Sequence, residues 1–403
     1  MQRLLPLFCF VVISSLQAAQ PPGPARVPVL VLPFFNQSAA ELDWIGESVA
    51  QRISHVLLAR GWAVMDREER LEAYRRLSLR PLARLTRASL LKVALELDAA
   101  LVVSGEFQVE GSAQADGPGA ARGRILRLSG FLLDVRRLTK GLSWVEEGSL
   151  EDLATVENRF AWQVLRGLAP EQAPPLEEFL AQNPPVRPDA IENYVRGLLA
   201  ASPQQKHRYF TQAARLDPRF PQPAFELGRL EFQRKEYRLA AGWLGRVPPS
   251  DPDFLRAQFL LGLCRYYSAD FAGAAAAFER VSREAPLNEV LNNLAAAQSR
   301  RNLPEALDLF LEALDGDPAD PDYHFNAGYV LWKRGEFQAA AERFRAALRQ
   351  NPEDTQATLL LGRCLQGRGP RPGDPEGGLE RIKHSFQERA WRELKARVAP
   401  LEP

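Results

Sequence analysis

The second half of the chain repeats itself with a period of about 34 residues, and this feature constrains the fold more than any other. Every copy has a small residue in its first part, an alanine in its second part and a large apolar residue four positions later. These sets are Gly228, Ala240 and Leu244; Gly262, Ala274 and Phe278; Ala295, Ala306 and Phe310; and Gly328, Ala340 and Phe344. Small and bulky side chains at fixed spacing are typical of two closely packed helices. The proline after each copy ends the second helix.

This pattern resembles the tetratricopeptide repeat, a pair of antiparallel helices that stacks into a solenoid. The segment "IENYVRGLLAASPQQKHRYFTQAARLDP" fits a degenerate first copy, and "QATLLLGRCLQG" supplies one further first helix. We therefore predict an all-α solenoid over residues 189–366, with about five repeats and a partial sixth. Residues 367–403 are predicted to form a loop and a C-terminal helix, "LERIKHSFQERAWRELKARV", that caps the last apolar face.

The N-terminus has the composition of an export signal. Gln2 and Arg3 precede an apolar run from Leu4 to Leu16, and small residues follow in "QAAQ". The run is shorter than the roughly 20 apolar residues of a membrane-spanning helix, although a retained anchor is the alternative. We predict a cleaved signal peptide at residues 1–19, no transmembrane segment after cleavage, and a periplasmic or secreted protein.

The first half of the chain alternates strand and helix patterns. "VPVLVLPFF" is predicted to be a buried strand, "LDWIGESVAQRISHVLLARG" an amphipathic helix, "WAVMD" a second strand and "RASLLKVALELD" a second helix. Two strands then flank a Gly-rich loop from Gly111 to Gly123, and a short strand around Trp144 precedes a helix from Leu150 to Leu168. These elements predict an α/β domain.

The order of these elements, with "VLPFFNQSAAELDWIG" followed by "ALELDAALVVSGEF", resembles the TolB N-terminal-like domain and the related FlgO-type domain of bacterial envelope proteins. The resemblance covers residues 26–169 and implies a noncatalytic domain. Asp98 departs from the pattern, because such domains often have Gly in this turn, but Asp tolerates the left-handed backbone. Residues 170–188 are rich in Pro and are predicted to be a semi-rigid linker between halves that fold separately.

Catalytic and metal-binding motifs are missing from the sequence. Its four His residues have neither HExxH nor paired metal spacing, and the Gly-rich loop lacks the Lys-Ser/Thr of a phosphate-binding loop. A net charge of +1 and a pI of about 7.7 give no global field that would attract nucleic acid. We therefore predict no enzyme activity, no cofactor, no metal and no nucleic-acid partner.

The register of the repeats predicts which side chains line the groove, by which we mean the concave face formed by the first helices. Aromatic and basic side chains recur there, and such residues are common in binding hot spots. The predicted groove residues are Phe225, Arg229, Phe232, Phe259, Tyr266, Tyr267, Asn292, Arg300, Phe325, Tyr329, Trp332, Lys333 and Arg363. We expect an extended or helical partner segment with acidic and apolar residues, held mainly by Tyr266, Tyr329 and Trp332, although some rings could only pack between repeats.

Two classes of function follow from this organisation. In the first, the protein is an exported envelope scaffold or adaptor whose groove holds a protein or peptide partner. In the second, the repeats serve assembly or pack on the α/β domain, so that no groove is free. An envelope enzyme is the remote third possibility. Fold alone does not choose among these classes, and the sequence does not give the oligomeric state.

Overall fold

The computed structural model describes residues 27–111, 123–371, 378–386, 390 and 391. The predicted signal peptide lies outside the described residues, as do the interior of the Gly-rich loop and most of the second half of the predicted C-terminal helix. The described chain consists of an α/β domain followed by a series of helix pairs, which confirms the predicted fold class at this level.

The α/β domain contains a mixed sheet with the strand order β1-β3-β4-β5, and β2 also pairs with β3. β1 and β2 run parallel to β3, whereas β4 and β5 are antiparallel to their neighbours. The strands are β1 (Val29–Val31), β2 (Phe35–Asn36), β3 (Leu101–Glu110), β4 (Ile125–Asp134) and β5 (Thr139–Ser149). The helices of this domain are α1 (Trp44–Ala59), α2 (Arg67–Arg76), α3 (Arg87–Glu96) and α4 (Leu153–Leu168).

Three residues of the motifs quoted above have direct physical roles. A Cβ atom at Gly46 would lie 2.0 Å from the carbonyl oxygen of Phe34, so the start of α1 approaches the first strand segment too closely for a side chain. Asn36 Nδ2 donates to Asp43 Oδ1 over 2.7 Å and ties the β2 loop to the start of α1. Asp98 has a φ of 51°, as predicted for the turn after α3.

Two elements of this domain differ from the sequence prediction. The predicted strand "WAVMD" forms only an isolated bridge between Val64 and Val29. The helix α2 was not predicted, because it carries few apolar residues. Its start is nevertheless encoded locally, since Asp66 and Glu69 form a reciprocal capping box.

The Pro-rich segment is folded against the α/β domain. It contains α5 (Leu176–Gln182), whose Phe179 is buried, and the indole of Trp162 donates to the carbonyl oxygen of Pro174 over 2.8 Å. A single hydrophobic cluster runs from β1 through α1, α4 and α5 into the first helices of the repeats. Separate folding of the two halves stays a prediction, and this shared cluster is an argument against it.

Between residues 188 and 365 the described chain forms five helix pairs and one further helix, and a short turn joins the helices of each pair. The pairs are α6 (Pro188–Leu199) with α7 (Pro203–Leu216), α8 (Gln222–Gln233) with α9 (Tyr237–Leu244), α10 (Phe254–Tyr267) with α11 (Phe271–Glu284), α12 (Asn288–Arg300) with α13 (Ala306–Gly316), and α14 (Pro321–Lys333) with α15 (Phe337–Gln350), followed by α16 (Thr355–Leu365).

The small and bulky positions of the repeat meet inside each pair. A Cβ atom on Gly262 would lie 2.6 Å from the ring of Phe278, and one on Gly228 would lie 2.5 Å from Leu244. Phe278, Leu244 and their counterparts Phe310 and Phe344 are all fully buried. The spacing that defined the repeat is therefore the contact that holds each helix pair together.

The first part of the predicted C-terminal helix is not helical. Residues 379–386 are extended or irregular and contact the first helices of the repeats, whereas 390 and 391 are helical. The prediction of a capping helix over the whole segment is wrong for 379–386, because the backbone groups of Arg381 and Lys383 bond to side chains of the repeats instead of to each other.

Candidate functional site

Residues 378–386, which we call the C-terminal segment, lie along the first helices α10, α12 and α14. The segment runs against the order of the repeats. The hydroxyl of Tyr329 on α14 accepts a hydrogen bond from the Gly378 amide over 3.2 Å, and Phe386 packs edge-on against Phe259 of α10 at 5.1 Å between ring centroids. The groove is therefore occupied by an extended part of the same chain.

Seven of the thirteen predicted groove residues contact this segment. The contacts are hydrogen bonds, ion pairs and ring stacking, and the residues are Phe259, Tyr267, Asn292, Arg300, Phe325, Tyr329 and Lys333. Tyr267 stacks on the imidazole of His384 with 5.8 Å between the ring centroids. These seven residues, which the repeat register predicted to line the groove, therefore all contact the same segment.

The other six predicted residues have other surroundings. Arg229, near the start of the groove, pairs with Glu68 of the α/β domain at 3.0 Å, and the Phe225 ring lies under its guanidinium. Phe232 packs on Tyr237, and Tyr266 on Tyr267 and Phe271. Trp332 is fully buried and donates to the carbonyl oxygen of Arg368, with Arg363 over its ring. Of the three predicted main anchors, Tyr329 is the one with a hydrogen bond to the described residues of the C-terminal segment.

Two asparagines hold the backbone of the segment. Asn326 Nδ2 donates to the carbonyl oxygen of Arg381 over 2.8 Å, and its Oδ1 accepts from the Arg381 amide over 2.7 Å. Asn293 makes the same two bonds with Lys383, over 2.7 and 2.9 Å. Asn292 also donates to the carbonyl oxygen of Arg381. The Asn side chains thus bond to the backbone of alternate residues of the segment, as a neighbouring strand would. These bonds do not depend on the side chains of the segment.

An acidic side chain of the segment meets a basic part of the groove. Glu380 is buried and accepts a hydrogen bond from the hydroxyl of Ser299 over 2.7 Å. Arg300 and Lys333 lie 3.8 and 3.9 Å from its carboxylate oxygens. Burial lowers the pKa of Lys333, and the nearby Glu380 carboxylate opposes that shift.

The two basic side chains of the segment meet three carboxylates. Arg381 pairs with Asp354 at 2.6 Å, and its guanidinium lies 3.6 Å from the centroid of the Phe325 ring. Lys383 Nζ lies 2.8 Å from Asp320 and 2.7 Å from Asp322. Burial lowers the pKa of Lys383, but its bonds to these carboxylates outweigh burial and raise the pKa overall. Ion pairs this short and partly shielded from water position a ligand better than exposed pairs do.

Apolar side chains of the segment complete the site. Ile382, between the two basic residues, packs against the clusters formed by α10–α12 and by α12–α14. Leu379 packs against the cluster of α14–α16. Trp391 is buried among residues of α10–α12 and lies 5.2 Å from Phe386 between ring centroids. The segment therefore presents apolar side chains to the clusters of the repeats, and its acidic and basic side chains to groups of opposite charge.

Several residues that hold the segment were not predicted. Asn293 and Asn326 occupy the same register position in consecutive repeats, two residues before the small position, and this recurrence in apolar helices was a usable signal. Asp320 and Asp354 are N-caps of α14 and α16, where their side chains accept from backbone amides. A capping role explains such an Asp fully, so the sequence gives no sign that it also meets a basic ligand.

The described residues contain no group of three His, Cys, Asp or Glu side chains that could hold a metal ion. Within the same ranges, no helix combines the length and apolar character needed to cross a bilayer. Burial raises the pKa of Cys264 to about 12 and that of Cys364 to about 11, and both thiols lie in hydrophobic clusters. Thiols with such pKa values are poor nucleophiles.

Residues 259–321 and 325–370 match the family model of the tetratricopeptide repeat. Over 163 residues, 40% of this chain, the sequence is 24% identical to the cell division cycle protein 16 homolog of Homo sapiens, and the match spans only 22% of that protein. The structure of YrrB, described as a TPR protein with an unusual peptide-binding site, is 20% identical with a TM-score of 0.35, over 42% of this chain and 87% of YrrB. MamA 41-end from Desulfovibrio magneticus RS-1 is 22% identical with a TM-score of 0.36, over 40% of this chain and 92% of MamA.

The family match and the helix pairs together show that the C-terminal part of the chain contains tetratricopeptide repeats. Proteins built from these repeats are generally protein-interaction scaffolds without enzyme activity. The resemblance of the N-terminal domain to the TolB-like and FlgO-type domains stays a prediction.

Proposed function

We propose that this protein, with its tetratricopeptide repeats, is an adaptor that binds an extended segment of a partner protein in the groove. The observation that carries the proposal is the pairing of Asn293 and Asn326 with the backbone of the C-terminal segment. A carboxamide that exchanges two hydrogen bonds with the backbone of one residue recognises any extended chain, and Asn292 orients both carboxamides, since it donates to Asn293 Oδ1 and accepts from Asn326 Nδ2.

The adaptor acts in the cell envelope, in the periplasm or as a secreted protein. This part of the proposal rests on the export signal of residues 1–19 and on the resemblance of the α/β domain to envelope proteins. Intact-mass measurement of the native protein should find 18 or 19 residues missing from the N-terminus. A retained Met1, or a diacylglyceryl group, would contradict the cleaved signal.

The adaptor function is tested with a photocrosslinking residue in the full-length protein. Tyr267 is 39% exposed and lies at the groove, so p-benzoylphenylalanine at this position replaces one aromatic ring by another. The same residue at Arg345, which is exposed on α15, serves as the matched control. After crosslinking in native cells, mass spectrometry should identify envelope proteins from position 267 that are not recovered from position 345.

The decisive comparison adds Asn293→Leu and Asn326→Leu to the protein that carries the crosslinker at position 267. These substitutions keep most of the side-chain volume but remove the backbone pairing. We expect the recovered partner to fall at least about tenfold, since each lost pair of bonds removes roughly 1.4 kcal/mol or more. If recovery stays unchanged, the groove does not hold the partner.

A second function is favoured by a different observation. The α/β domain contacts the first two repeats, and the C-terminal segment lies on the later ones. In a structural protein these contacts would be permanent and the groove would never open. Such a protein would give no crosslinked partner from position 267, and its C-terminal segment would be protected from hydrogen exchange as strongly as the helices.

A further inference from the structure

From the occupant of the groove we infer that the C-terminal segment is a built-in ligand, and that a partner displaces it with an extended segment of the same side-chain order: acidic, basic, apolar, basic. In this chain the order is Glu380, Arg381, Ile382 and Lys383. The inference rests on the proposed function and specifies it, because it gives the chemistry of the partner and the state of the groove without one.

The first step of the argument is that the groove has a basic part for the carboxylate of Glu380 and an acidic part for Arg381 and Lys383. Arg300, Lys333 and Ser299 surround the carboxylate of Glu380. Asp322 and Asp354 receive Arg381, whereas Asp320 and Asp322 receive Lys383. A partner with the opposite charge order would place like charges together at these subsites, which is how charged interfaces exclude wrong ligands.

The second step is that the subsites are spaced for an extended chain. Asn293 and Asn326, at equivalent positions of neighbouring repeats, hold Lys383 and Arg381, which are two residues apart. Ile382 between them points to the apolar side of the groove. A helical partner could not supply this spacing, because alternate residues of a helix do not lie on one face.

The third step is that a tethered ligand competes strongly. Residues 372–377 connect the last repeat to the segment, so its effective concentration at the groove is on the order of 1 mM. If segment and partner bind the open groove equally well with a Kd of about 1 μM, the tether weakens the apparent affinity for the partner about 1000-fold. The groove therefore admits a partner only at high local concentration or with additional contacts.

The test uses the full-length protein and a fluorescent peptide with the sequence GLERIKHSF, residues 378–386. We call the full-length protein with Arg381→Glu and Lys383→Glu the released variant. Its two new carboxylates in the tethered segment are repelled by Asp320, Asp322 and Asp354. We expect this variant to bind the peptide at least about 100-fold more tightly than the wild type in fluorescence anisotropy. Arg345→Glu with Arg349→Glu is the matched control, since it changes the net charge equally at exposed positions of α15.

The peptide itself tests the charge order. The same peptide with Arg381→Glu and Lys383→Glu should lose binding to the released variant at least about 100-fold, and that with Glu380→Lys at least about tenfold. Equal binding of these peptides would overturn the inferred partner chemistry. Equal binding of the unaltered peptide by wild type and released variant would overturn the built-in ligand.

A hydrogen-exchange measurement on the wild type tests displacement of the segment even if the released variant fails to fold. Excess peptide should raise hydrogen exchange at the amides of residues 379–386 of the chain while the helices stay protected. No change under saturating peptide contradicts displacement. Concentration-dependent dimers of wild type in sedimentation, with the segment of one copy in the groove of another, would likewise overturn an intramolecular ligand.

These results separate the inference from the adaptor proposal. If the released variant binds the peptide but crosslinking recovers no partner that requires Asn293 and Asn326, the built-in ligand is supported and the adaptor is contradicted. Recovery of such a partner without competition by the segment supports the adaptor and contradicts the inference.

Discussion

The groove is covered at its two ends by contacts of different chemistry. At the N-terminal end, the α/β domain shares one apolar cluster with α6, α7 and α8, including Tyr194, Val195 and Leu198. At the other end, the C-terminal segment is held largely by asparagine carboxamides and ion pairs. The first contact is mainly apolar burial, whereas the second adds directional hydrogen bonds and ion pairs to the packing of Leu379, Ile382 and Phe386, so another chain of the same chemistry can replace the segment.

Cutting the chain near Pro184 should have the largest effect. A fragment of residues 20–184 would expose the side of α1 that packs on Ile191, Tyr194, Val195 and Leu198. At about 1.5 kcal/mol for each buried side chain, we expect the α/β domain to lose on the order of 5 kcal/mol of stability. Urea unfolding of fragment and full chain measures this difference, and equal midpoints would support the separate folding that the sequence predicts.

Trp332→Ala should destabilise the repeats by about 4 kcal/mol in urea unfolding, because the indole is fully buried and donates to the carbonyl oxygen of Arg368.

Tyr329→Phe keeps the ring and removes only the hydroxyl that accepts from Gly378. It should therefore raise hydrogen exchange in the C-terminal segment and leave the melting temperature nearly unchanged. A sharp fall in melting temperature for Tyr329→Phe would mean that the segment is part of the folded core.

Gly328→Trp should cost about 3 kcal/mol by wedging α14 from α15, since even a Cβ atom would lie 3.1 Å from the ring of Phe344. Because α14 carries Asn326, the segment should lose its exchange protection while the contact with the α/β domain persists. Gly362→Ala is the control. Apart from its own helix backbone and its chain neighbours, no described atom lies within 4 Å of the added Cβ, so a small gain in thermal stability is expected.

Acid should weaken the contact with the α/β domain through His55, which meets Gln222 of α8 over 3.1 Å. Burial, and secondarily the nearby Arg52, lowers the pKa of His55 from 6.5 to about 4, with Asp253 opposing. The folded state thus favours neutral His55, and its contribution is complete above pH 6.5 and lost as the pH falls toward 4.

At pH 5 this loss amounts to at most about 2 kcal/mol relative to pH 7. His55→Gln should remove the His55 contribution, so that acidification from pH 7 to pH 5 changes the stability of the variant by about 2 kcal/mol more favourably than that of the wild type, as measured by urea unfolding at both values. Glu157 acts in the opposite direction, because burial raises its pKa to about 7 and its contribution is lost as the pH rises. Glu157→Gln therefore separates the two groups, and an unaltered acid response in His55→Gln would show that His55 is not its source.

Local spacing made the repeats predictable. Gly262 and Phe278 lie in one helix pair, close in sequence, and their sizes encode the contact between α10 and α11. The capping box of α2 was equally local and was missed only because its helix carries few apolar residues. The candidate site was predictable in part, since the register identified the wall of the groove but not its occupant.

The sequence by itself determined the helix pairs and the α/β character of the first domain, because both depend on residues near one another along the chain. Only the tertiary structure decided what lies in the groove. The pattern of residues 379–386 suits a helix, but the bonds that hold them extended come from Asn326 and Asn293, 55 and 90 residues away. A backbone follows the partners that satisfy its polar groups, and no local pattern indicates which distant side chains will supply them.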